Sequence, residues 1–160
     1  KAQIVSHITI RQAVFLDDTQ NIRLNVLFIP HANNETKLFY SLFSMQTSGK
    51  TLITDNQNMP FGGYYPESWT VNRFPVCHSL KQLLKKHREL VGERKEALVA
   101  LNEDIRTNTN CLQWELEKRN REMGFLKIPD SDDKRRISPE GCFRMWTEMW
   151  LLAYFGKTLS

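Results

Sequence analysis

"HITIRQAVFL" (residues 7–16), "DDTQN" (17–21) and "IRLNVLFIP" (22–30) decide the fold. In the third stretch Ile22, Leu24, Val26 and Phe28 recur at every second position, the period at which strand side chains leave on one face. The polar residues before it are turn formers, and so short a connection suits a hairpin rather than a parallel crossover. Two antiparallel strands are predicted, and Pro30 ends the second. The alternation returns over 37–46 through Phe39, Ser41, Phe43 and Met45, and Ser48-Gly49 turns the chain into Lys50–Thr54. Trp69 to Pro75 reads as a fifth strand. The first half is therefore an antiparallel meander.

Between the fourth and fifth strands lies "DNQNMPFGGYYPES" (55–68), with two prolines, Gly62-Gly63 and a tyrosine pair. It is the longest irregular segment, and loops of this kind carry binding residues. Phe61, Tyr64, Tyr65 and Trp69 are candidate partner-binding residues. The alternative is that these aromatics plug the edge of the sheet.

From Ser79 the period becomes helical. Ser79 and Gln82 form a capping box, after which Leu80, Leu83, Leu84, His87 and Val91 share one face. Ala97, Leu98, Leu101 and Ile105 predict a second helix over 93–106, and Asn110 with Gln113 caps a third from about 111 to 123, ending at Gly124. Phe125 to Ile137 reads as a hairpin around an acidic turn, Asp130 to Asp133. Ser138 and Pro139 then start a fourth helix that ends at Gly156. That helix is apolar almost all round; only Arg144, Thr147 and Glu148 clearly want water. A core position is expected for it, with a partner chain or membrane surface as the alternative. Trp150 joins the candidate partner-binding residues on that account.

The expected fold is α+β: an N-terminal antiparallel β-meander packed on a C-terminal four-helix lobe with a small β-hairpin. One domain, 1–160, is expected, with a strand lobe over 1–78 and a helical lobe over 79–160 that includes the hairpin 125–137. At 160 residues, 41% hydrophobic and 25% charged, the composition is that of a globular domain. The net charge of +4 falls short of a nucleic-acid tail or a polybasic anchor, and no apolar run approaches the ~20 residues of a membrane helix. Three widely spaced cysteines, Cys77, Cys111 and Cys142, are not a disulfide framework.

Candidate chemistry is sparse. Cys77, His78, His87, Cys111 and Cys142 lack the short spacings of zinc sites, so no metal is expected. His87, on an apolar helix face, reads as a core histidine rather than an acid or base. Cys142 stands near a helix start, where a thiol is activated, but no histidine neighbours it in sequence. Asp130, Asp132 and Asp133 lack the glycine and distal glutamate of a calcium loop. No phosphate loop, G-x-S-x-G or H-E-x-x-H motif is present, so neither catalytic residues nor a cofactor is assigned.

The sharper alternative is nucleic acid. Three helices, a hairpin and a capped helix follow a winged-helix order, which would send the third helix into the major groove. Lys118, Arg119, Asn120 and Arg121 would then face bases, and Lys134, Arg135 and Arg136 would hold phosphates from the wing. Against it, the third helix interleaves its bases with Glu115, Glu117 and Glu122.

"TSGKTLITDNQ" (47–57), "SLKQLLKKHREL" (79–90), "GFLKI" and "RRISPEGCFRMW" together resemble a pattern in uncharacterised bacterial proteins, notably from planctomycetes. That pattern joins a strand pair around a glycine turn, a Leu-Leu-x-x-His helix, a short hairpin and a Ser/Thr-x-x-Gly helix. Members often carry hydrophobic segments ahead of the region. The resemblance implies a membrane-tethered domain and supplies no catalytic residues. The expected function is a non-enzymatic protein-binding or scaffold domain, with an unidentified protein partner and any membrane contact made through a segment outside this chain.

Overall fold

The computed structural model describes residues 2–5, 8–30, 35–94, 96–101, 105–127 and 136–159. The fold is α+β. The elements run β1 (Ala2–Val5), β2 (Ile8–Leu16), β3 (Arg23–Pro30), β4 (Thr36–Gln46), β5 (Thr51–Asp55), β6 (Trp69–Arg73), α1 (Leu80–Glu93), β7 (Leu98–Val99), α2 (Ile105–Glu122) and α3 (Pro139–Phe155). The chain divides into two compact units, one of residues 1–57 and 70–102, the other of 58–69 and 103–160. The division does not fall at residue 78: α1 belongs with the strands, and the Pro/Gly/Tyr loop belongs with α2 and α3.

In the first unit the strands follow one another as neighbours, β1-β2-β3-β4-β5-β6, and β7 pairs with β4. The register sets Asn25 opposite Ser41 and Ser41 opposite Asp55, so that the side-chain alternation carries across three strands. One face holds Ile22, Leu24, Tyr40 and Leu42, and α1 lays Leu83 and Leu84 on them, with Cys77 and Phe74 completing the cluster. The other face carries a polar row. Asn25, Ser41 and Asp55 lie side by side, and Arg73 of β6 places Nε 3.2 Å from the Asp55 carboxylate. Asn56 extends β5 by side-chain mimicry: its carbonyl oxygen accepts the Tyr40 N–H at 2.7 Å while its amide donates to the Cys77 carbonyl at 3.0 Å.

The helix expected over 93–106 is absent from its described residues, and the described helices number three, not four. Leu98 and Val99 instead pair with Gln46 and Met45. β4 outruns β3 at that end, so its edge there has unpaired N–H and C=O groups, and β7 satisfies them. Thr47 N–H bonds to the Ala97 carbonyl and Leu101 N–H to the Gln20 carbonyl, which fastens the segment on both sides. The following helix starts at Ile105 rather than near 111, so Asn110 and Gln113 lie within it and cap nothing.

In the second unit α2 closes on Gly124, whose φ is +73°. The Leu126–Ile137 bridge and the bond from Lys127 N–H to the Arg136 carbonyl form the base of the hairpin; its acidic turn, with Lys134 and Arg135, lies outside the described residues. Ser138 ties the two helices together, donating to the Gly124 carbonyl at 2.6 Å and accepting the Gly141 N–H at 2.9 Å as N-cap of α3.

Candidate functional site

Among the described residues of the first unit, Ser44 and His87 form a sealed pair. His87 is 0% exposed, with Nε2 3.0 Å from Ser44 Oγ and Nδ1 2.8 Å from Thr54 Oγ1. Ser44 gives its proton to the Asn21 carbonyl at 2.9 Å, so it accepts from His87 Nε2–H, and Nδ1 accepts from Thr54. The serine is no nucleophile: its proton is committed, no carboxylate orients the ring, and solvent does not reach it. Cys77 lies apart from this group, its thiol directed at Ser79 and Gln82. Among the described residues no three His, Cys, Asp or Glu side chains gather as a metal site would require.

Burial holds His87 at a pKa of about 4, below its ordinary 6.5. The unfolded chain therefore takes up the proton first as pH falls. The contribution to stability is complete above pH 6.5 and is lost as pH falls toward 4, amounting to roughly 2.5 kcal/mol between pH 7 and 4.5. Urea unfolding at the two pH values is expected to show that loss in the wild type. His87→Gln, which cannot titrate, is expected to have a pH slope shallower by that amount.

The second unit is built around the loop over 58–69. Its backbone has no ladder to join, so side chains of α2 and α3 must satisfy it. Glu148, 1% exposed in mid-helix, accepts the N–H groups of both Phe61 and Gly62 on one carboxylate oxygen. Arg144 donates to the Gly62 carbonyl at 2.9 Å and lays its guanidinium 4.0 Å from the centre of the Tyr64 ring. Asn120 of α2 accepts the Tyr64 N–H and donates to the Tyr64 carbonyl, both at 2.9 Å, so its carboxamide stands in for a neighbouring strand's peptide. Gly62, at φ +66°, lies against the backbone of Met145; a Cβ there would come within 2.5 Å of Met145 Cα.

The loop aromatics are spent on this assembly. Phe61 stacks on Tyr65 with centroids 4.9 Å apart, Tyr65 on Trp69 at 6.3 Å, and the Trp69 indole donates to Glu115 at 3.2 Å. All four candidate aromatics of the segment are half-buried. Tyr64 lies against Arg144 of α3 and Trp69 reaches Glu115 of α2, while Trp69 is also the first residue of β6.

This arrangement turns α3 over relative to its expected orientation. Glu148, expected in water, is buried, and Arg144 is partly so; the aromatics expected in the core are outside. Phe143 is 67% exposed and Tyr154 71%, and Trp146, Met149, Trp150 and Phe155 are exposed as well. The reason is that the loop's peptide groups need polar partners, and α3 supplies them from one side only. Positions 143, 146, 150 and 154 follow the i, i+3, i+4 recurrence of one helix face, with Met149 beside them. No charge stands on that stripe between Glu140 and Lys157, because the two charged residues within the helix point to the loop. Of the expected partner-binding residues, only Trp150 lies on it. Phe143, Trp146, Met149 and Tyr154 read as core residues in the sequence because their spacing fits a buried face equally well.

The residues expected to meet nucleic acid are placed differently. Arg119 pairs with Glu67 at 3.0 Å, Arg121 with Glu117 at 3.9 Å and Lys118 with Glu122 at 4.0 Å. Asn120 is inside, holding Tyr64. Arg136 is exposed at the hairpin base, and the second helix that a winged-helix order needs is strand β7. By sequence, the unit containing α2 and α3 carries 10 Lys/Arg against 11 Asp/Glu, and the sheet unit 12 against 7. The more basic surface is therefore on the sheet unit. There Lys81, Lys85 and Arg88 line an open groove along α1 with Glu89. Among the described residues no helix is long and apolar enough to cross a membrane.

No protein-family model, curated protein or solved structure matches the chain, so its functional reading rests on this geometry.

Proposed function

We propose that the chain is a non-enzymatic binding domain that docks an apolar protein surface through the aromatic stripe of α3. The carrying observation is the line of Phe143, Trp146, Met149, Trp150 and Tyr154, all exposed, on a helix whose Arg144 and Glu148 are occupied within the fold. Aromatic residues and methionine are the types enriched at protein interfaces, and Trp and Tyr dominate their binding energy. Four aromatics at this exposure leave about 600 Å² of apolar surface with Met149, at the top of the 300–600 Å² typical of the largest patch on a monomer. A membrane-surface helix would carry Lys and Arg along its polar face. Here that face holds Arg144, bonded to the loop, and Glu148, which favours a protein partner.

The reading is tested by a variant that removes the stripe without touching the loop anchors. Phe143→Ser with Tyr154→Ser changes the two most exposed rings of the stripe, and unfolding free energy, measured at a concentration low enough for both proteins to be monomeric, is expected to shift by less than about 1 kcal/mol. A loss of 3 kcal/mol or more, of the order set by core truncations, would show that these rings hold the fold together and remove the proposal.

A further inference from the structure

We infer that the occupant of the α3 stripe is a second copy of the same chain, its α3 lying antiparallel to the first. This rests on the docking role just proposed and adds its partner. The stripe is close to symmetric about its own middle, between Glu148 and Met149. Turned end for end around that point, Phe143 meets Tyr154 of the other copy and Trp146 falls within one residue of Trp150, while Met149 stands on the flank of the stripe at the height of the two-fold axis. A surface matching its own reverse is what an isologous contact requires.

The flanking charges follow the same rule. Glu140 and Lys157, both exposed, flank the stripe at equal numbers of residues from its middle, Glu140 in the first turn of α3 and Lys157 just past its Gly156 cap. In the antiparallel pair each glutamate faces the other copy's lysine, giving two ion pairs at the rim. In a parallel pair Glu140 would face Glu140 and Lys157 would face Lys157. The helix dipoles also run head to tail only in the antiparallel arrangement. The area is of the right order: about 600 Å² of exposed apolar surface on the stripe, together with its polar rim, approaches the ~800 Å² that each partner buries in a standard interface.

Sedimentation velocity of the full chain across a concentration series tests the inference. A monomer–dimer equilibrium is expected, with the dimer lost in Phe143→Ser/Tyr154→Ser. Glu140→Lys and Lys157→Glu are each expected to weaken association three- to tenfold, and the double exchange to restore it. With Cys111 and Cys142 replaced by serine, Met149→Cys is expected to crosslink with a short bis-maleimide. Phe143→Cys is not, because antiparallel copies hold its equivalents ~16 Å apart along the helix axis. A dimer unaffected by the double serine variant overturns the proposal, as does crosslinking at 143 but not at 149. A chain monomeric throughout overturns self-pairing, whether or not it then sediments with phosphatidylcholine vesicles. The docking role is judged separately, by the stability of the same double serine variant.

Discussion

Asp55→Ala is expected to destabilise the sheet unit by about 3–5 kcal/mol, the range for removing one partner of a buried ion pair. The Asp55 and Arg73 side chains are only 5% and 3% exposed, and the carboxylate also accepts the Gln57 N–H at 3.2 Å. Removing it leaves a guanidinium in a place from which water is excluded, with little freedom to leave because β6 fixes its backbone. Asp55→Asn keeps an acceptor but not the charge, so a smaller loss is expected. Changing both residues, Asp55→Leu with Arg73→Met, is expected to recover most of the loss, because no uncompensated charge is then left inside. Urea unfolding of the three variants checks this. Equal losses in the single and double variants would mean that the polar row acts through packing alone.

Glu148→Ala is expected to cost about 3–4 kcal/mol, because it leaves the Phe61 and Gly62 N–H groups without their shared acceptor and opens a void in mid-helix. The effect is local in origin, so amide exchange reads it best. Protection at Phe61, Gly62 and Tyr64 is expected to fall on the order of 100-fold, while the β3 and β4 amides of the other unit keep theirs. Glu148→Gln retains one acceptor oxygen and loses charge assistance, and an intermediate fall is expected. Unchanged protection at Phe61 and Gly62 in the alanine variant would show that the loop is held by Asn120 and Arg144 alone.

The meander was legible because its evidence is local. Alternation at Ile22, Leu24 and Val26 and a turn of five polar residues need no distant partner to be read. The same holds for the caps, since Ser79 before α1 and Ser138-Pro139 before α3 act within one turn of themselves. β7 was not legible for the opposite reason. Ala97, Leu98 and Leu101 fit a helical period, but two residues become a strand here because the end of β4, some 50 positions earlier, has an edge to fill. The orientation of α3 was hidden in the same way. An apolar helix with one Arg and one Glu looks like a core element with two surface residues until the loop's unpaired peptide groups come into view. Which side of the helix is inside depends on groups that no residue pattern within the helix records. Helix α2 ran through Thr107 to Asn110, residues that favour helix starts in isolation, because propensities of a few tenths of a kcal/mol give way to tertiary context.

The two units are interleaved: residues 58–69 belong with helices that follow in the chain only after residue 103. On the ribosome this order has a temporal consequence. The sheet strands through β5 emerge first and can begin to pair, but the next dozen residues come out with none of their anchors yet made. Glu148 follows Trp69 by roughly 80 residues, which at translation rates of ~5–20 residues per second is a wait of about 4–16 s. For that interval Phe61, Tyr64, Tyr65 and Trp69 are exposed on a nascent chain whose neighbouring strands are already sticky. Slow synthesis of the C-terminal third, rather than of the strands, is therefore where this protein is most open to chaperone capture or misassembly.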